Sequence, residues 1–295
     1  MEKKGTEKKG TEKKGTEKRD LGTERKPHRG RRQKMTKGQI VSNVVLVLAI
    51  AVFLFSGFKL WEIFLEYHRG TSEYDSLREV AIQSEPSNTP EEEEIAFSVD
   101  FATLREMNPE VVGWIRFDEP SQISYPLVRG ADNEKYLHTT FEGKENAAGA
   151  LFVDADNAAD FTDRNTFIYG HNMKNGSMFG QLRKYKDSAF CSEYPYFYIY
   201  TPDGREVTYQ VFAVCIVKDT SDSYRKWYNS DEDYQGYIDS IRSISKVRTD
   251  VEVGTDSQIV SLSTCTNVSD DERMLVHGVK ISEKVSSDGT GEKEE

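Results

Sequence analysis

Cys265 and Arg273, eight positions apart near the C-terminal end, are a thiol and a guanidinium placed where two strands should meet. The stretch 258–264 alternates apolar and polar residues and predicts a strand that ends at the thiol. The stretch 274–281 predicts a second strand that begins just after the arginine. A thiol can attack a carbonyl, and a guanidinium can stabilise the oxyanion that forms. A free thiol titrates near pH ~8.5, so a nucleophilic cysteine needs a base or a cation beside it. Among five histidines, His171 has the placement for that work. It follows the short apolar run Thr166-Phe-Ile-Tyr-Gly170 and precedes Asn-Met-Lys-Asn-Gly, which puts it on a loop at a strand end. His28 lies in a basic tail, His68 near an apolar span, His138 in a polar stretch and His277 inside the last predicted strand. Taken singly, the three residues have ordinary readings as a buried thiol, a solvated imidazole and a surface charge. The 94 positions between His171 and Cys265 leave their meeting to the fold.

The elements that would carry these residues are mostly strands. Eight are predicted: Val111–Phe117, Ser124–Val128, 150–153, 166–169, 196–201, 206–217, 258–264 and 274–281. Pro202-Asp-Gly204 is a turn between the fifth and sixth. Helical pieces are predicted at 178–186 and 231–246, the latter with Tyr234, Tyr237, Ile238, Ile241 and Ile244 on one face. Asp100 can cap a short helix that ends near Met107, before Pro109. Many strands and few helices imply a mainly β fold, a barrel or sandwich with helical insertions.

Charge divides the chain. Residues 1–39 hold 15 Lys/Arg and 6 Asp/Glu, a net of +9, whereas the remainder holds 24 and 44, a net of −20. Between the two, Ile40 to Phe58 runs for nineteen residues without a charge. As a helix it would span roughly 28 Å, close to the ~30 Å hydrocarbon core of a bilayer. The basic flank places residues 1–39 in the cytoplasm and the rest outside a single-pass cell-membrane anchor. A cleaved signal peptide is the competing reading, but no Ala-x-Ala site follows the apolar run. Glu-Lys-Lys-Gly-Thr occurs three times near the N-terminus and has no apolar face to bury, so residues 1–39 are expected to be a disordered tail. A solvated tail or contact with anionic lipid are its two readings. The acidic outer part argues against a nucleic-acid partner. The expected organisation is a cytoplasmic tail (1–39), a transmembrane helix (40–58), a juxtamembrane helix broken near Gly70 with an acidic linker (59–95), a catalytic domain (96–284) and a disordered tail (285–295). Three cysteines do not make a disulfide framework, and Cys191 and Cys215 read as structural. No cofactor or metal is expected, because no His/Cys/acid cluster has ligand spacing and no glycine-rich phosphate loop is present.

The residues 97–284 resemble the sortases, and class B among them. Ser261-Leu-Ser-Thr-Cys265 with Arg273 matches the family's TLxTC…R signature, with Ser261 in place of the first threonine. Tyr169-Gly-His171-Asn-Met matches its histidine segment. Asn108-Pro-Glu-Val-Val-Gly-Trp-Ile115, Asp132-Asn-Glu-Lys-Tyr-Leu137, Gly176-Ser-Met-Phe179 and the helical insertion at 230–246 point to class B. The resemblance implies a closed eight-stranded sortase barrel and a cysteine transpeptidase. Cys265 would be the nucleophile, His171 the acid/base partner and Arg273 the stabiliser of the transition state. The implied substrates are secreted proteins with a C-terminal sorting signal of the NPxTx type, cleaved after Thr. The implied acceptor is an amine of a peptidoglycan precursor, lipid II. The membrane lipid would be met through the N-terminal helix. Asn133, Tyr169, Ser263, Thr264 and Thr266 are the candidate substrate contacts, with the backbone N–H of Thr266 a candidate second oxyanion donor. Alternatives are a pilin-polymerising sortase, which residues 84–94 do not support because they hold no Asp-Pro-aromatic lid motif, a cell-surface cysteine protease that uses water instead of the amine, and a binding module with an inactive site.

Overall fold

The computed structural model describes residues 35–85 and 96–285. The Glu-Lys-Lys-Gly-Thr repeats, most of the acidic linker and almost all of the C-terminal tail lie outside the described residues. The chain forms two units, 1–55 and 56–295. In the first, helix α1 (Lys37–Ala81) begins and exposes its apolar side chains. Among the described residues, α1 is the one helix long and apolar enough to cross a membrane.

In the second unit α1 continues without the break expected at Gly70. That glycine lets the helix approach the barrel closely, because a Cβ there would stand 3.1 Å from Asn146 Oδ1. Asn146 Nδ2 donates to the Glu66 carbonyl (3.0 Å), and Tyr74 Oη donates to the Gly149 carbonyl (2.5 Å). Tyr74, Leu77 and Ala81 are buried in the main core. The chain then pairs β1 (Ile82–Glu85) antiparallel with β2 (Ala96–Val99). The expected cap is present on α2 (Phe101–Met107), where Asp100 accepts from Thr103 N–H.

The strands β3 (Val111–Phe117) and β4 (Ser124–Val128), the short helix α3 (Lys135–His138), and strands β5 (Leu151–Val153) and β6 (Asn165–Tyr169) come next. Helix α4 (Ser188–Glu193), strands β7 (Tyr196–Tyr200) and β8 (Arg205–Lys218), helix α5 (Asp231–Ile244), and strands β9 (Ile259–Cys265) and β10 (Glu272–Val285) complete the order. The eight strands β3–β10 close into a barrel in the order β10-β8-β7-β3-β4-β5-β6-β9. Closure leaves no edge strand in the barrel. Two of its pairs, β4–β5 and β6–β9, are parallel. The helix expected over 178–186 is reduced to a 3₁₀ turn, Leu182–Lys186, because Met178 sits at φ 52°, outside any helix.

Alternation along β9 sorts the two layers. Val260 and Leu262 belong to the main core, whereas Ile259 packs with Phe167 and Phe212 in a second cluster. Helix α5 covers that second cluster with Tyr234, Tyr237, Ile238 and Ile241. Ile244, expected on the same face, is exposed at the helix end. Ser230 caps α5, and Asp231, Glu232 and Asp233 complement the positive end of its dipole.

Candidate active site

The parallel pairing of β6 and β9 brings the distant residues together. Tyr169 lies opposite Ser263 at the end of β6, and hydrogen bonds from Gly170 to Ser263 and from Asn172 to Cys265 carry His171, the residue between them, alongside the end of β9. Across the other edge of β9, antiparallel pairing places Arg273 directly opposite Cys265. Neighbouring strands lie about 4.8 Å apart, so the thiol is flanked by the imidazole-bearing loop on one side and the guanidinium-bearing strand on the other. Asn172 Nδ2 donates to the Cys265 carbonyl (2.8 Å), and Gly170 N–H donates to the Ser263 carbonyl (3.1 Å). The backbone bond from Gly170 continues the β6–β9 pairing past the strand end, and the Asn172 side chain holds the histidine loop beside the cysteine.

Cys265 is the partly exposed thiol among the three, and Cys191 and Cys215 are buried. Burial pushes the Cys191 thiol up to about 11 and the Cys215 thiol up to about 12, which keeps both protonated at neutral pH. His171 Nε2 lies 2.8 Å from the Leu137 carbonyl oxygen. A carbonyl only accepts, so Nε2 carries a proton and Nδ1 is the nitrogen free for proton exchange. His277, inside strand β10, is fully buried, and burial lowers its pKa to about 3. It is therefore neutral and has no access to solvent. Arg273 Nη1 donates to the carbonyls of Asp270 (2.6 Å) and Glu272 (3.2 Å), and its Nη2 lies 3.3 Å from Asp219 Oδ2.

The other five candidates occupy different settings. Ser263 shares the outer face with Cys265, and its Oγ is 2.7 Å from Tyr224 Oη. Thr264 points into the barrel, where its Oγ1 is buried without a hydrogen-bond partner. Tyr169 lies beside Ser263 and donates its hydroxyl to Asp154 (2.8 Å). Asn133 accepts from Ala155 N–H through Oδ1 (2.8 Å), four positions before Leu137. Thr266 N–H is directed at the Glu272 carbonyl at 3.3 Å. The structure thus gathers Tyr169, His171, Ser263, Cys265, Thr266 and Arg273 around two adjoining strand ends, and turns Thr264 inward.

Four participants escaped the sequence reading. They are Asn172, Asp219, the Leu137 carbonyl and Tyr224. Asn172 adjoins His171 and falls in the quoted histidine segment, so its signal was at hand. A backbone carbonyl carries no side-chain signal, and Tyr224 lies 39 positions from the serine it touches. Among the described residues, no group of three or more His, Cys, Asp or Glu could hold a metal ion.

Comparison with known proteins gives the family and the fold. Residues 119–281 match the sortase domain family model. The sortase B of Listeria monocytogenes is 31% identical over 237 residues, which cover 79% of this chain and 93% of the relative. A crystal structure of sortase B from Bacillus anthracis in complex with AAEK1 superposes with a TM-score of 0.64 at 30% identity, covering 74% of this chain and 99% of that one. A Staphylococcus aureus sortase B–substrate complex superposes with a TM-score of 0.58 at 28% identity, covering 62% of this chain and 84% of that one.

Proposed function

This chain belongs to the sortase family, class B, and is a cysteine transpeptidase; from that premise we propose how its residues share the reaction and what it joins. Cys265 attacks the threonine carbonyl of a sorting signal as a thiolate. Its electron pair forms the S–C bond, and the carbonyl π electrons move onto oxygen. Arg273 donates to that oxyanion. The tetrahedral intermediate collapses as the C–N bond breaks, and His171 delivers the Nδ1 proton to the departing amine. An incoming amine then attacks the thioester, His171 takes its proton, and Cys265 leaves as the thiolate. The single observation that supports this assignment is that Arg273 pairs opposite Cys265 on one side of β9 while the Asn172 side chain ties the His171 loop to Cys265 on the other.

The sorting signal is of the NPxTx type, and the acceptor is an amine of the peptidoglycan precursor lipid II. The S. aureus sortase B solved as a substrate complex supports a substrate-binding role for this chain. Helix α1 anchors the protein in the cell membrane. The basic flank stays in the cytoplasm and the barrel faces outward, as the positive-inside rule requires. Asn133, Tyr169 and Ser263 contribute to the peptide groove.

The test uses the full chain in detergent micelles with fluorogenic NPxTx and LPxTG peptides, with and without an amine acceptor. Expected are cleavage of the NPxTx peptide, a thioacyl adduct on Cys265 seen by mass spectrometry, and loss of both in Cys265→Ala. Undiminished turnover by that variant would remove Cys265 from its role. Products that never contain the amine would favour the protease alternative.

A further inference from the structure

The connection from β8 to α5 (219–230) passes over the outer face that carries Cys265. Within it, Tyr224 stacks on Phe167 (5.4 Å between centroids) and meets Ser263 Oγ through its hydroxyl. Tyr224 thereby forms a wall over a floor made by Ser263 and Tyr169. Two residues on, Lys226 turns inward and places its ammonium 2.8 Å from both Asp154 Oδ1 and Asp156 Oδ2. Asp154 is only 1% exposed and Lys226 only 14%. The other carboxylate oxygen of Asp154 accepts from the Tyr169 hydroxyl. Burial alone would raise the Asp154 pKa, but Lys226, the Asp156 N–H and the Tyr169 hydroxyl hold it below the usual carboxylate value. One buried carboxylate therefore ties down both the floor tyrosine and the loop that bears the wall tyrosine.

We propose that the Lys226–Asp154 ion pair is a latch that holds Tyr224 as the wall of the peptide groove, so that Lys226 and Asp154 are positioning residues that set substrate affinity. A buried ion pair is a poor source of net stability, because desolvating two charges offsets most of their attraction. Its value lies in geometry. The connection is also held where the Tyr237 hydroxyl donates to the Ser223 carbonyl (2.9 Å) and Asn165 Nδ2 to the Arg225 carbonyl (3.3 Å), and the ion pair adds a charged fixed point two residues from the side chain that touches Ser263. The next residue, Trp227, is 69% exposed, so its ring adds little anchoring of its own. The peptide groove rests on the sortase reading, whereas the latch itself rests only on the contacts above.

The test compares wild type, Lys226→Met, Lys226→Arg, Asp154→Asn and the double variant Lys226→Met/Asp154→Asn as full chains in micelles. In Lys226→Met the peptide KM rises roughly five- to twentyfold while kcat changes less than about twofold. Lys226→Arg recovers most of the KM. The double variant recovers melting temperature relative to Lys226→Met, since no buried charge is left unpaired, yet keeps the raised KM. Hydrogen exchange over 219–230 accelerates in both Met variants, while β6 and β9 keep wild-type protection. An unchanged KM in Lys226→Met, a KM that recovers together with melting temperature, or unchanged exchange over 219–230 would each overturn the latch. A wild-type protein that turns over no sorting peptide would instead refute the substrate reading, and the exchange measurement would still decide whether the latch holds the loop.

Discussion

Each of the three central side chains takes its character from what surrounds it. Cys265 differs from Cys191 and Cys215 in exposure, and at pH 8 a thiol displaced to about 11 is ionised to roughly one part in a thousand. Brief treatment of the native protein with iodoacetamide should therefore modify Cys265 alone, with Cys191 and Cys215 labelled only after denaturation. Peptide mapping by mass spectrometry reads this directly. His171 has a carbonyl rather than a carboxylate as its partner, which fixes the tautomer without adding a negative charge to the site. Asn172 ties that loop to the Cys265 backbone. Asn172→Ala should lower kcat by about tenfold and leave KM within about twofold, because it loosens the alignment of the reacting groups rather than the peptide groove. A steady-state rate curve with equal kcat for variant and wild type would refute this. At this scale residue type and strand-end position made Cys265, His171 and Arg273 candidates, and the family motif gave them the roles proposed here. The Leu137 carbonyl and Tyr224 were not, since nothing local to either marks the contact it makes.

Among the elements, α1 has two characters along one continuous helix. Its N-terminal part is apolar and exposed, and its C-terminal turns supply Tyr74, Leu77 and Ala81 to the barrel's main core. The local pattern around Gly70 read as a break, since glycine weakens an isolated helix by about 1 kcal/mol. Tertiary contact overrides that preference, because the missing side chain is what admits Asn146. The C-terminal turns of α1 are thus part of the folded barrel domain's support. Leu77→Ala should destabilise the full chain by about 2–4 kcal/mol, whereas Val80→Ala, on the exposed side, should cost less than about 0.5 kcal/mol. Urea unfolding followed by barrel tryptophan fluorescence measures the difference, and equal midpoints would show that α1 does not buttress the core. All eight barrel strands were legible to within a few residues at each end, because period-two alternation is a local property. The helix expected over 178–186 failed for an equally local reason, the left-handed backbone at Met178.

The molecule as a whole is governed by barrel closure, which buries a polar cluster between the strands and α5. Ser261 donates to Asn165 Oδ1 and meets His277 Nδ1 at 2.8 Å, and Asn165 Nδ2 donates to Tyr237 of α5. His277 is held neutral down to about pH 3 in the folded protein, whereas an unfolded chain binds that proton near its ordinary value of 6.5. Between those values the unfolded state carries the extra proton, so stability falls as pH falls, by up to about 1.4 kcal/mol per pH unit from this group. His277→Asn should shallow the decline of melting temperature between pH 6.5 and 4 relative to wild type, whatever its effect at pH 7.5. Parallel melting profiles would refute the attribution. The amino-acid sequence by itself determined the long apolar segment, the charge divide, the strand set and the family, and it nominated the three side chains proposed to do the chemistry. These reside in residue type, short-range period and motif. Only the tertiary structure decided that β6 runs parallel to β9, that Leu137 orients His171, that α1 joins the core and that Lys226 reaches Asp154 across 72 positions. Strand partners and buried charge pairs are chosen by closure of the whole barrel, and a local stretch of sequence carries no record of that choice.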